Sequence, residues 1–285
     1  LQSGRLDNTY TDWSIRGEYD LSDDNLVYGL ISTGNKSGGF NDNIPETEGF
    51  ATNAAQNAPI GFDTDTLAPT YDPEQLTLYE IGSKNSFFFG DLPATFNASA
   101  FYYDYSDLQL TTLTSTAQIL NREGVALTED QLDSLGGNDV AITFNAADAE
   151  IYGTQFEGSL DFPGDITLKT TVLWLPGANV KDSEEIQDSR YQADVEAALP
   201  LFDQNAVNRS IEGNRLIRTP RFQLNGSISK AIQTSYGQYD GVLSFGYRSS
   251  QFMTIFNGID YNPLDQETLN GDQTRLDDKV DGYWT

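Results

Sequence analysis

Cysteine and histidine are both missing from the 285 residues, and methionine occurs once, at Met253. Without cysteine there is no disulfide framework, no thiolate nucleophile and no cysteine-zinc site. Without histidine there is no imidazole base, which removes Ser-His-Asp catalysis and most zinc chemistry. Positive charge is also scarce: 16 Lys+Arg stand against 43 Asp+Glu, for a formal charge of -27. Such a chain repels phosphate backbones, so nucleic acid is not an expected partner. No phosphate-cradling loop or dinucleotide fingerprint is present, and no cofactor is expected. The acidic pairs Asp63/Asp65, Glu184/Glu185 and Asp277/Asp278 fit no EF-hand loop; they read as solvated surface, and no metal is expected. No run approaches the roughly 18 consecutive apolar residues of a membrane helix, and no signal peptide opens the sequence. A membrane β-barrel survives these exclusions, because it needs only short segments of alternating hydrophobicity. The chain begins with Leu1 and has no initiating methionine, so a piece of a longer product is expected.

Aromatic residues, by contrast, reach 12%, far from a disordered acidic composition. Many of them recur with period 2. In segment 12–20, Trp13, Ile15, Gly17 and Tyr19 oppose Ser14, Arg16, Glu18 and Asp20. In 150–162, Tyr152, Thr154, Phe156, Gly158, Leu160 and Phe162 oppose Gly153, Gln155, Glu157, Ser159 and Asp161. Segments 166–175, 220–232 and 241–250 repeat the pattern, and strands are also predicted at 25–33, 75–87 and 93–110. The last carries a parity slip between Phe96 and Phe101, which predicts a bulge there. The tyrosines Tyr102, Tyr103 and Tyr105 are read as an interfacial aromatic girdle. Segment 128–136 has a capping-box pattern, Thr128 with Gln131, and predicts a short helix inside a loop.

Connection lengths carry more information than any one strand. Short turns at 21–24, 88–92, 163–165 and 233–240 alternate with long connections at 34–74, 111–149, 176–219 and 251–279. Most loops in compact domains run about 4–6 residues, so four of this length require a reason. In an up-and-down meander the short turns fall at one rim and the long loops at the other, as in outer-membrane barrels. The long loops also hold more than half of the acidic residues. The strand charges Arg16, Glu18, Glu80, Lys84, Glu157, Lys169 and Arg248 keep to the polar parity, where they would face a wet lumen. Alternation alone fits a half-exposed soluble sheet equally well; the sorted loops favour the barrel.

Five stretches resemble one family. Residues 25–41 read NLVYGLISTGNKSGGFN, a strand leading into a Gly-Lys/Arg-Ser-Gly-Gly-Phe-Asn turn matched by Lys36, Ser37, Gly38, Gly39, Phe40 and Asn41. Residues 71–84, YDPEQLTLYEIGSK, carry a Pro-Glu…Tyr-Glu-x-Gly-x-Lys pattern through Pro73, Glu74, Tyr79, Glu80, Gly82 and Lys84. Residues 101–109, FYYDYSDLQ, end in Asp-x-Gln. Residues 145–158, NAADAEIYGTQFEG, follow an Asn-Ala…Gly-x-Glu-x-Glu-Gly strand with Gln155 in place of the first Glu. Residues 213–222, GNRLIRTPRF, match a turn into the next strand. In this order they resemble the TonB-dependent outer-membrane receptors. The resemblance implies an all-β, antiparallel, up-and-down transmembrane barrel with short periplasmic turns and long extracellular loops. It further implies that 1–285 forms part of a 22-stranded barrel, here eight strands and the start of a ninth at 280–285. The plug, the early strands and the last strands lie outside it.

The same resemblance implies a receptor, not an enzyme, in the outer membrane of a Gram-negative bacterium. Such a receptor imports a scarce large solute, most often a ferric siderophore. Its partners would be outer-membrane lipid and lipopolysaccharide, the TonB complex through the missing N-terminal region, and the ligand. Lys36, Ser37, Gly38, Gly39, Phe40 and Asn41 are candidate ligand contacts at the mouth, with loop geometry as the competing reading. Arg16, Glu18, Glu80, Lys84, Glu157, Arg221 and Arg248 are candidates to face the lumen or plug; no catalytic residue is expected. Glu80 and Lys84 stand roughly 13 Å apart along a strand, too far to pair with each other. Two alternatives remain at this stage: a passive porin-like barrel, and a secreted acidic β-protein that binds or hydrolyses carbohydrate with paired carboxylates.

Overall fold

The computed structural model describes residues 7–41, 70–115, 139–183, 186–187, 208–257 and 279–285. Its strands are β1 (Ser14–Ser22), β2 (Asn25–Lys36), β3 (Gly39–Phe40), β4 (Thr70–Tyr71), β5 (Glu74–Phe89), β6 (Leu92–Ser115), β7 (Asp139–Phe162) and β8 (Ile166–Ser183). They continue with β9 (Ile186–Gln187), β10 (Asn208–Arg209), β11 (Phe222–Thr234), β12 (Gly237–Arg248), β13 (Gln251–Phe252), β14 (Lys279–Val280) and β15 (Tyr283–Trp284). Nine of them form one sheet in the order β1-β2-β5-β6-β7-β8-β11-β12-β15, in which chain neighbours are sheet neighbours. The short strands pair as β3–β4, β9–β10 and β13–β14 outside the main sheet. Turns at 23–24, 90–91, 163–165 and 235–236 close one rim, and the strand ends not joined by them lie at the other.

Register converts the alternation of single strands into two continuous faces. One row crosses all nine strands as Tyr19, Val27, Ser83, Ala98, Phe156, Val172, Leu224, Tyr247 and Trp284. The adjacent row crosses as Glu18, Tyr28, Gly82, Ser99, Gln155, Leu173, Gln223, Arg248 and Tyr283. A slip of one residue in any strand would exchange its two faces, so consistent parity over nine strands marks both faces as specified. Large side chains on the first face lie uncovered: Ile15 is 67% exposed, Ile81 69% and Leu243 66%. A contiguous apolar face of this kind marks a surface that meets another apolar medium.

The apolar core is small and displaced to the long-loop rim. Ala146, Ala147, Val180, Ile186, Ile211 and Phe256 pack there, supported by Leu108, Leu110, Phe144, Leu216 and Ile255. Among the described residues, no second layer packs on either face of the sheet within its span. Burial is therefore concentrated where loop segments fold over the strand ends.

Three expectations need correction. β6 and β7 each run 24 residues, and β8 extends to Ser183, so the loops between strands are shorter than alternation implied. No bulge interrupts β6 between Phe96 and Phe101; pairing with β5 is regular from Leu92 to Ser106. The irregularity lies between Tyr105 and Leu108, where Asp107 takes a φ of 57°. The girdle reading also divides. Tyr102 lies on the apolar face in a row with Tyr79 and Tyr152, their rings 6.4 Å apart in each pair, whereas Tyr103 and Tyr105 lie on the polar face beside Phe101. With aromatic residues on both faces, the strand looked out of phase when it was not. The helix at 128–136 and the acidic pairs Asp63/Asp65, Glu184/Glu185 and Asp277/Asp278 fall outside the described residues.

Candidate ligand-binding site

The first element of the site is the corner where β2 leaves the sheet. Lys36, Ser37, Gly38, Gly39, Phe40 and Asn41 fold against residues 70–74. A side chain on Gly38 would run into the carbonyl oxygen of Tyr71, and one on Gly39 would meet the Tyr71 hydroxyl at 2.5 Å. The close backbone approach requires glycine at Gly38, whereas at Gly39 the obstacle is the Tyr71 side chain. Asn41 seals the corner like a strand residue: its Nδ2 donates to the Thr143 carbonyl and its Oδ1 accepts from the Thr143 N–H, both at 2.7 Å.

Two amides on neighbouring strands hold the corner in place. The Gln109 side chain donates to the carbonyls of Ser37 and Asp72, each at 3.0 Å. Asn145 donates to the carbonyls of Asp72 and Asp107 and accepts from the Asp72 N–H. Glu74 accepts from the Gln109 N–H at 3.0 Å and lies 3.6 Å from Lys36 Nζ. Four of the five quoted sequence stretches thus converge on one place. Gln109 and Asn145 are not among the site residues expected from sequence, although both sit inside those stretches; they are cross-strand partners in β6 and β7, a pairing that only the register reveals.

The charged candidates share the polar face. Arg16 bridges to Glu18 at 2.6 Å and lies 4.4 Å above the Tyr28 ring; the Tyr28 hydroxyl donates to Glu80 at 2.5 Å. Glu80, Lys84 and Glu157 line a cavity of about 600 Å³ with Phe101, Tyr103 and Tyr105. Arg248 is in register on the same face through Gln223 and Leu173. Arg221 sits at the rim, its carbonyl accepting from the Leu175 N–H. The structure therefore brings Arg16, Glu18, Glu80, Lys84 and Glu157 into one neighbourhood and leaves Arg221 and Arg248 farther round the sheet.

The fifth stretch builds a second corner. Arg215 is buried at 7% exposure, and its guanidinium donates to the carbonyls of Thr219 and Leu175. Burial, together with the nearby Arg221 charge, pulls its pKa below the ordinary arginine value. Asn257, at a φ of 56°, accepts from the Arg215 N–H and donates to the Arg215 carbonyl, both at 2.7 Å. This clamp fixes the segment before β11 to the segment after β12. Between the two corners lies a cavity of about 780 Å³, whose lining runs from Lys36 and Glu74 to Leu216, Met253 and Phe256. A space of that size suits a small-molecule ligand. Among the described residues no cluster of acidic side chains is placed to hold a metal ion.

Comparison with known proteins agrees with this architecture. No curated protein matches the chain by sequence. Among solved structures, the ferric yersiniabactin uptake receptor of Yersinia pestis superposes with a TM-score of 0.54 at 18% identity, over 95% of this chain and 28% of its own. The ferric preacinetobactin receptor of Acinetobacter baumannii gives 0.48 at 12% identity, over 95% of this chain and 27% of its own. The ferric enterobactin receptor of Pseudomonas aeruginosa gives 0.47 at 11%, over 96% and 31%. The first of these likenesses supports the fold, and the chain spans under a third of the length of each. The family described as TonB dependent receptor-like, beta-barrel, matches residues 2–285, and the chain belongs to it.

Proposed function

We propose that the protein containing this chain is an outer-membrane receptor of a Gram-negative bacterium that imports a scarce large solute, a ferric siderophore, using energy delivered through TonB. The observation that carries the reading is the pair of continuous faces. An apolar face crosses nine strands, and a polar face beside it gathers Arg16, Glu18, Glu80, Lys84 and Glu157. The first suits lipid and lipopolysaccharide; the second suits a wet lumen occupied by a plug. The superposed receptor of Yersinia pestis is named for a ferric chelate, which favours iron as the cargo. The region assigned to residues 1–285 is part of the barrel, with the plug and the TonB-binding segment elsewhere in the protein.

Uptake of radiolabelled ferric chelates by a deletion strain, with and without the full gene, tests this. Gene-dependent uptake that stops when the proton-motive force is collapsed is the expected result. Uptake that survives the collapse would indicate a passive pore. A protein recovered in the soluble fraction would defeat both membrane readings.

A further inference from the structure

The cavity between the two corners restricts the chemistry of its guest. Leu110, Leu216, Ile217, Met253, Ile255 and Phe256 contribute much of its wall, and among the described residues the wall's charged side chains are Lys36 and Glu74. These two lie 3.6 Å apart, so the cation is already matched by a carboxylate. The Gln109 amide nitrogen donates to the Ser37 and Asp72 carbonyls. The irregularity at Asp107 contributes by bringing Leu108 and Leu110 to the same cavity as Tyr105. Among the described residues a polyanionic ligand finds no dedicated counter-charge here to offset its lost hydration, and the chain as a whole carries a net charge of -27.

We infer that this cavity takes an uncharged chelate with a large apolar surface, and that it discriminates against polyanionic chelates. The inference rests on the importer reading above and names the ligand class for its mouth. Apolar contact supplies the affinity, and the field of the acidic chain supplies the selectivity.

The test uses the full-length receptor purified in detergent, with two probes: an uncharged ferric tris-hydroxamate bearing an alkyl chain and a polyanionic ferric tris-catecholate. The uncharged probe is expected to bind at least about tenfold more tightly, a gap of about 1.4 kcal/mol. Ile217→Asp and Met253→Asp alter wall residues that stand 46% and 39% exposed, so the fold is not at stake. Each is expected to weaken the uncharged probe by about tenfold, with the heat-dependent gel mobility of a folded barrel retained. Tighter binding of the catecholate overturns the inference. Binding of neither probe, or unchanged affinity in both variants, does so as well. TonB-dependent uptake of the catecholate by cells would leave the importer reading intact while removing this one. Absence of TonB-dependent uptake of any ferric chelate would instead remove the importer reading.

Discussion

Gly38 and Gly39 are neighbours that meet different obstacles. An added methyl at Gly38 runs into the backbone of Tyr71, Asp72 and Pro73, whereas one at Gly39 runs into the Tyr71 ring. A ring rotates away; a backbone held by Gln109 and Asn145 does not. Gly38→Ala is therefore expected to cost about 1–3 kcal/mol and Gly39→Ala distinctly less. Limited proteolysis of the folded receptor checks the order, with faster cleavage near residues 37–73 in Gly38→Ala. Equal rates for the two variants would contradict this account. The glycine pair could be read as loop geometry from sequence, because paired glycines after a strand imply a close exit. The partners of that geometry were not legible: Asn41 bonds to Thr143 and Gln109 to Asp72, contacts set by tertiary folding across three strands.

At the scale of elements, strand identity and facing were legible and strand ends were not. Segment 12–20 and segment 150–162 alternate because one face must be apolar where it meets lipid, and their observed register matches that alternation. Beyond the bilayer neither face must be apolar, so the period fades while pairing continues. Residues 110–115 of β6 illustrate this: they read LTTLTS, with no clear face, yet they pair with 139–144. The irregularity at Asp107 was equally hidden, since its φ of 57° is one that aspartate tolerates and the sequence does not announce. Asp107→Val places a β-branched side chain in that left-handed conformation and is expected to cost about 1–3 kcal/mol, while Asp107→Gly is expected to be tolerated. Thermal unfolding of the two variants of the full receptor checks this. A smaller loss in the valine variant would refute the role of the positive φ.

For the whole molecule, the decisive property is that the two faces meet different media. Ala98 and Ser99 are adjacent in β6, on the apolar and polar faces respectively. Lysine at Ala98 is expected to cost about 2–4 kcal/mol near the bilayer midplane, whereas lysine at Ser99 is expected to be nearly neutral. Folding yield of the full receptor into phosphatidylcholine vesicles separates the two, and a similar yield would count against the assignment of faces. Charges on the apolar parity support the same placement by their position. Asp104 and Glu150 occur just past the Tyr79, Tyr102 and Tyr152 row, where Lys181 pairs with Asp104 at 2.9 Å and Tyr102 bonds to Glu150 at 3.0 Å.

That tyrosine row also serves as a ruler. With the row at the level of the lipid headgroups, β6 continues past Tyr102 to Ser115, about 40 Å along the strand or roughly 30 Å of height at the usual tilt. The sheet consequently rises as a parapet above the level of that row. The glycine corner and the arginine clamp stand on this parapet. In the receptor proposed above, a large solute arriving from outside is therefore expected to meet this ledge before it reaches the level of the lipid.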